Sequence, residues 1–241
     1  MDELARADLA PTGILRAAIN EANPLLVIGR DANGDPVGLA PTFARLIAER
    51  LGVPAKLLAY PSPGAISDRA GDGEWDIALI GSDPARARTI LFSPAYVEIQ
   101  ATYLVSPTSA LESVDEADSA GRTIIAVRKS AYELWLDAHL QNARLLAADD
   151  AAAALAAFLD HPDYLLAGLE PTLRAVAARH AGTRLLPGRF TAVQQAVGTP
   201  LGREAGARFL NEFVIEERRS GHVRRLLAQF ELESELSVAS D

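Results

Sequence analysis

Apolar positions along the chain fall into two alternating patterns. Ile14-Leu15-Arg16-Ala17-Ala18-Ile19 is a short extended run that predicts a strand, and the Asn20-Glu21-Ala22-Asn23-Pro24 loop ends it. Asp31-Ala32-Asn33-Gly34-Asp35-Pro36 reads as a tight turn. From Pro41 to Leu51 the period changes: Phe43, Ile47 and Leu51 share one helical face, and Gly52 stops the helix. Ala55 to Tyr60 predicts a second strand. The stiff Pro61-Ser62-Pro63-Gly64 loop follows, then a short helix to Gly71 and the Asp72-Gly73 turn. Asp76-Ile77-Ala78-Leu79-Ile80 is a third, buried strand, and Asp83-Pro84 is expected to open a helix with Asp83 as its N-cap. Strands alternating with helices indicate a parallel sheet covered by helices.

The pattern restarts after Tyr96. Ile99 to Val105 is an extended apolar run, Ala110 to Ala120 is polar and helix-poor, and Arg122 to Val127 is a strand. Ser130 is placed to cap a helix running to Leu140. Leu145 to Ala147 is a short strand, and Asp149-Asp150 precede an alanine-rich helix to Leu159. Tyr164 to Gly168 is a strand, and Glu170-Pro171 start another helix. A second βαβ set thus spans residues 105–190. Ala192 to Gly198 is extended again, Glu204 to Phe230 reads as one or two helices broken near Gly221, and the last residues are expected to be a loose tail.

Composition narrows the function classes. A chain of 241 residues fits one large domain or two small ones. The net charge of −9, without a long basic run, argues against nucleic acid or an anionic membrane as partner. No apolar stretch approaches the roughly 20 residues that span a bilayer. The absence of cysteine removes disulfides, thiolate catalysis and Cys-ligated metal. His139, His161, His180 and His222 show no metal spacing, so neither metal nor cofactor is expected. The acidic start, Met1 to Gly13, lacks the plan of an export signal. Either the chain stays in the cytoplasm or such a signal has been trimmed and replaced by Met1.

The chemistry concentrates between Trp75 and Tyr96. Arg86 falls in the first turn after Asp83-Pro84, where free backbone N–H groups already make a helix end positive. A guanidinium beside free donors is a good trap for a carboxylate. The competing reading, that Asp83 only caps and Arg86 only pairs with it or with solvent, is equally open on this stretch alone. Trp135, three residues after Tyr132 on one helix face, reads as core.

The order GEWDIALIG, DPARA, LFSPAY, AVRKSAYE and QQAVGTP, followed by a long terminal helix, resembles the family 3 solute-binding proteins of amino-acid ABC transporters over roughly residues 14–230. Its most specific piece is the spacing of Arg86, Phe92, Ser93 and Tyr96. The resemblance implies a two-lobed, periplasmic-binding-protein-like type II α/β fold, each lobe a βαβ sheet covered by helices. Residues 1–102 and 195–241 would form lobe 1 and residues 103–194 an inserted lobe 2. Hinge crossings are expected near Ala101–Val105 and Val193–Ala196, with ligand held in the cleft as the lobes close. It also implies that Arg86 clamps a ligand carboxylate, that Gly81, Ser82 and Asp83 offer backbone and side-chain groups to the same ligand, and that Ser130 and Ala131 face it from the second lobe. Asn20, Asn23, Ser62 and Gln194 complete the candidate set, with Gln194 on a crossing. Gly168 stands where the family carries an aspartate for the ligand ammonium, leaving Glu21, Glu170 or Asp83 to answer one. Asp83 stands where relatives carry Thr or Ser, and Asn23 where many carry an aromatic. The implied function is capture of a small polar carboxylate, an amino acid or analogue, by a monomer in the periplasm for an ABC-transporter permease, without catalysis. The alternatives are an enzyme on the same scaffold, of the cyclohexadienyl or arogenate dehydratase kind, and a ligand-sensing module.

Overall fold

A computed structural model describes residues 3–239. In chain order the elements are α1 (Glu3–Leu9), β1 (Leu15–Asn20), β2 (Gly29–Arg30), β3 (Pro36–Val37), α2 (Leu39–Leu51), β4 (Ala55–Tyr60), α3 (Pro63–Ser67), β5 (Ile77–Gly81), β6 (Ile90–Phe92) and β7 (Val97–Val105). There follow β8 (Thr123–Val127), α4 (Ala131–His139), β9 (Arg144–Ala148), α5 (Ala151–Asp160), β10 (Tyr164–Leu169), α6 (Glu170–Ala177) and β11 (Arg184–Leu185). The last are β12 (Thr191–Pro200), α7 (Glu204–Arg219), α8 (His222–Gln229) and β13 (Ser237–Val238). The chain divides into two compact units. Unit 1 runs to Glu98 and resumes at Gln194; unit 2 is Ile99–Val193.

In unit 1, β1 lies between β4 and β5, parallel to both. The sheet is mixed rather than wholly parallel, because β12 runs antiparallel to β5 with Gln195 opposite Gly81. All five residues of β5 are buried, as expected of an inner strand covered on both faces. Helix α2 buries Leu39, Phe43, Ile47 and Leu51, and Gly52 ends it in the left-handed conformation that glycine adopts without strain. Each such apolar side chain removed from water contributes about 1.5–3 kcal/mol. Helix α1 packs on α7, where a Cβ at Gly206 would lie 2.6 Å from the Leu9 Cδ2 atom, so a bare backbone is needed there.

Two expectations for unit 1 fail. Asp83-Pro84 does not open an α-helix; the segment makes a single 3-10 turn at Arg86–Arg88. The reason lies just downstream: β6 is drawn into antiparallel pairing with β12, Gly198 opposite Phe92, which leaves room for only one turn. Nor is the segment Leu232 to Ala239 a loose tail. Ser237 and Val238 pair with Glu98 and Val97, and Leu232, Leu236 and Ala239 are buried. Burying those three side chains offsets the cost of ordering the segment.

In unit 2, β10, β8 and β9 are parallel, and β7 flanks β10 antiparallel, with Ala101 opposite Leu169 and Leu104 opposite Leu166. The expected crossing at Ala101–Val105 therefore contributes most of its length to this sheet, while the division between units falls just before Ile99. The two faces of the sheet alternate by residue. Tyr103, Ile124, Leu165 and Ala167 pack with Leu136 of α4; Leu104, Ile125 and Leu166 pack with Phe158 of α5 and Leu173 of α6. Trp135 is half-buried against the first of these clusters and stacks on His139, ring centroids 4.1 Å apart.

Candidate functional site

Strand β5 delivers Gly81, Ser82 and Asp83 to its C-terminal edge. Ser82 donates its N–H to the Gln194 carbonyl (2.7 Å) and its hydroxyl to the same oxygen (3.3 Å). Asp83 Oδ1 accepts the Ala85 N–H at 2.7 Å, so it caps a turn, though not the helix expected of it. Arg86 is 4 % exposed, and its Nη1 donates to the Gly81 carbonyl. That bond pins the guanidinium to the strand end beside Ser82. A buried, oriented guanidinium is the chemistry that binds a carboxylate.

The rest of the motif is structural. Ser93 donates its N–H to the Val197 carbonyl (2.8 Å), and its Oγ accepts the Val197 N–H (3.1 Å). Tyr96 donates its N–H to the Gln195 carbonyl (2.8 Å), and its ring stacks on Phe43 with centroids 4.6 Å apart. Burial pushes the Tyr96 phenol pKa up. Phe92, Ser93 and Tyr96 thus hold the chain against β12 and α2, which leaves Arg86 as the candidate ligand group of the four.

Other candidates in unit 1 serve the backbone. Asn20 Oδ1 accepts the Ala22 N–H and Asn23 Oδ1 the Leu25 N–H, each at 3.1 Å, in the turn geometry that asparagine favours. Ser62 caps α3 by accepting the Ala65 N–H at 3.1 Å. Gln194 reaches Glu98, Nε2 to Oε2, at 3.0 Å. Glu21 is held by Arg30, whose Nη2 lies 2.6 Å from Oε1 and 2.7 Å from Oε2.

Sequence reasoning missed the most heavily bonded charge in the unit. Asp76, read only as the start of a strand, is fully buried. Its Oδ1 accepts from Arg16 Nη2 and from Arg203 Nη1, both at 2.8 Å, and its Oδ2 from the Arg16 Nε (2.8 Å) and N–H (3.0 Å). Burial pushes its pKa up, but the hydrogen bonds from Arg16 and Arg203 outweigh that and hold it below the usual carboxylate range. An aspartate opening an apolar run, Trp75-Asp76-Ile77, was the available signal.

In unit 2, Ser130 is buried and caps α4, its Oγ accepting the Glu133 N–H at 3.1 Å while Glu133 accepts the Lys129 N–H at 3.0 Å. Ser130 thus caps the helix, and Glu133 reaches back to the residue before the cap. Ala131 begins the helix behind it. Gly168 lies in β10 opposite Thr102, and a Cβ there would come 3.1 Å from Leu173 Cδ2, so Leu173 fills the space a side chain would use. Glu170, at the start of α6, pairs with Arg174 one turn on. Both line a recess of about 550 Å³ together with Gln100, Thr102 and the Leu185–Arg189 segment. No group of His, Asp and Glu suited to hold a metal ion occurs among the described residues.

The family model of the bacterial extracellular solute-binding proteins, family 3, matches residues 15–232. The chain belongs to that family. Family 3 proteins of known structure share its two-lobed type II α/β fold. One is a mutant of ArgBP from T. maritima, with a TM-score of 0.75 at 18 % identity over 95 % of this chain and 100 % of that one. Another is AbpA of Streptococcus pneumoniae, an amino-acid ABC transporter substrate-binding protein bound to L-arginine, with a TM-score of 0.74 at 18 % identity over 93 % and 97 %. A third is AncCDT-1, an ancestral amino-acid-binding protein and precursor of cyclohexadienyl dehydratase, with a TM-score of 0.72 at 18 % identity over 95 % and 99 %. At these identities the likeness is one of fold. No curated protein sequence matches the chain. As a family 3 member it is a solute-binding protein, and no helix among the described residues is long and apolar enough to cross a membrane.

Proposed function

We propose that this solute-binding protein captures a small carboxylate, an amino acid or close analogue, and that Arg86 with Ser82 holds the carboxylate group. The observation that carries the reading is Arg86 itself, nearly buried and fixed by the Gly81 carbonyl at the end of β5. Ser130 and the start of α4 are unit 2's candidate donors. The arginine bound by AbpA supports an amino-acid-like solute, delivered outside the cytoplasm to an ABC-transporter permease. An enzyme on this scaffold is the second reading, favoured by the likeness to AncCDT-1. It needs a general acid. The candidate carboxylates are Glu21, Glu170 and Asp83; the first two are each matched to an arginine and the third caps a turn, which supports binding over catalysis.

A thermal-shift panel of amino acids and simple carboxylates tests the proposal, because a ligand that binds only the native state raises Tm by mass action. At least one α-carboxylate is expected to raise Tm in the parent and none in Arg86→Ala. A shift that survives Arg86→Ala overturns the site, and turnover of a panel compound favours the enzyme.

A further inference from the structure

We propose that Glu98 is a positioning residue that ties the C-terminal strand to the Ser82 turn. Its functional meaning rests on Ser82 serving the ligand as argued above. Strand β13 pairs antiparallel with the first residues of β7, Ser237 opposite Glu98 and Val238 opposite Val97. At that point the two carboxylate oxygens of Glu98 face two different elements. Oε1 accepts the Ser237 hydroxyl at 3.2 Å, and Oε2 accepts the Gln194 Nε2 at 3.0 Å. The Gln194 carbonyl in turn accepts both the N–H and the hydroxyl of Ser82. The result is a relay, Ser237 to Glu98 to Gln194 to Ser82, contained within unit 1.

Chemistry explains why this position is a carboxylate. Glu98 must accept two hydrogen bonds from opposite sides, and an ionised carboxylate is an acceptor only, with a free lone pair in each direction. A glutamine could accept one bond and turn its amide toward the Ser237 oxygen, so it keeps the geometry with weaker bonds. An alanine keeps neither. The strand end that supplies Ser237 is itself anchored: Leu236 and Ala239 are each 4 % exposed, and the Ala239 N–H reaches the Tyr96 carbonyl at 3.4 Å. Glu98 and Gln194 are also the residues at which the chain leaves and re-enters unit 1, so the relay fixes the root of both crossings as well as the turn.

Amide hydrogen exchange on the full chain tests the relay without a known ligand. In Glu98→Ala the Ser82 amide is expected to exchange about three- to tenfold faster, as loss of one or two ordinary hydrogen bonds implies. Ser237→Ala should show a smaller rise and Glu98→Gln should stay near the parent. The amides of Ile77 to Leu79, which lie in β5 between β1 and the β12 residues beyond the relay, should not change. An unchanged Ser82 rate in Glu98→Ala overturns the proposal, as does a uniform rise through Ile77 to Leu79, which signals general loosening. If Glu98→Ala does not fold, Ser237→Ala against Glu98→Gln carries the same contrast. L-arginine, measured by calorimetry, is the binding probe: weaker binding in Glu98→Ala with recovery in Glu98→Gln extends the relay to the site. A raised Ser82 rate in a parent that binds no compound of the panel keeps the relay and removes the carboxylate reading instead.

Discussion

The two units bury different kinds of polar group. Among the described residues, unit 1 buries the charged side chains of Asp76, Arg86 and Glu217 beside the neutral Asn23, Ser93, Gln195 and Thr199, whereas the polar groups buried in unit 2, Thr102, Ser106, Ser130 and the phenol of Tyr103, are all uncharged. A buried charge is tolerated only when it is matched, and removing its partner leaves the other charge stranded. A buried hydroxyl asks for a single hydrogen bond, such as the one from Thr102 to the Leu186 carbonyl at 3.1 Å. Unit 1 is therefore organised by charge and answers to pH and to charge-removing substitutions. Unit 2 is organised by caps and packing and answers weakly to both.

The largest effect is expected at Asp76. Asp76→Ala strands Arg16 and Arg203, whose side chains are 23 % and 18 % exposed and so keep some water. The cost should be about 3 kcal/mol, the low end of what breaking a buried ion pair costs. Urea unfolding of the variant measures it; a loss no larger than that of a unit 2 cap substitution would erase the contrast. The same residue sets the acid response. Because the Asp76 pKa is lowered on folding, its contribution is fully present above the ordinary aspartate value of about 4 and is lost as pH falls through the lower folded-state value. Stability of the parent should fall with acid across that window, and Asp76→Asn should flatten the profile. Asp118 in unit 2 is also held low, chiefly by the N–H groups of Ala143 and Gln141. It lies at the surface, so the slope that remains in Asp76→Asn reports it and the other carboxylates.

Next in size is Arg86. In a compound that binds the parent, Arg86→Ala should cost about 2–5 kcal/mol of affinity, and Arg86→Lys should recover only part, since an ammonium lacks the planar fork. Calorimetry reads both. Equal losses for Arg86→Ala and Arg86→Lys would mean that geometry rather than charge decides, and binding as tight as the parent would move the carboxylate elsewhere.

The sequence showed periodicity and caps well because both are local. The strands around Leu15, Ile77, Ile124 and Leu165, the Gly52 stop, the break at Gly221 and the Ser130 cap all follow from residues within a few positions of one another. What it hid depends on partners far along the chain. The β6 pairing that shortens the Asp83 turn comes from Gly198 to Pro200, and the order of the C-terminus comes from Val97 and Glu98. Arg203 reaches Asp76 across 127 positions, and no local pattern announces it. For the candidate site, the spacing in the family resemblance singled out Arg86, which lies buried at the end of β5. The backbone duties of Asn20, Asn23 and Ser62 were legible only as the alternative that asparagine and serine always carry in turns.

The smallest effect separates a cap from a ligand donor. Ser130 caps α4 through a single bond to the Glu133 N–H, so Ser130→Ala should cost about 1 kcal/mol of stability and Ser130→Gly only a few tenths. Ser130→Asp keeps an N-cap acceptor and should hold stability near the parent. It also brings a negative charge to the helix start, where a bound carboxylate would be repelled. If unit 2 contributes only through this helix end, Ser130→Asp should weaken carboxylate binding while leaving Tm unchanged, and Ser130→Ala should lower Tm while binding falls less. The first result isolates the electrostatic part of unit 2's contribution, because the fold is held constant. Binding in Ser130→Asp as tight as in the parent would confine carboxylate recognition to Arg86 and its neighbours in unit 1, and would make the contrast between the units sharper than buried charge alone implies.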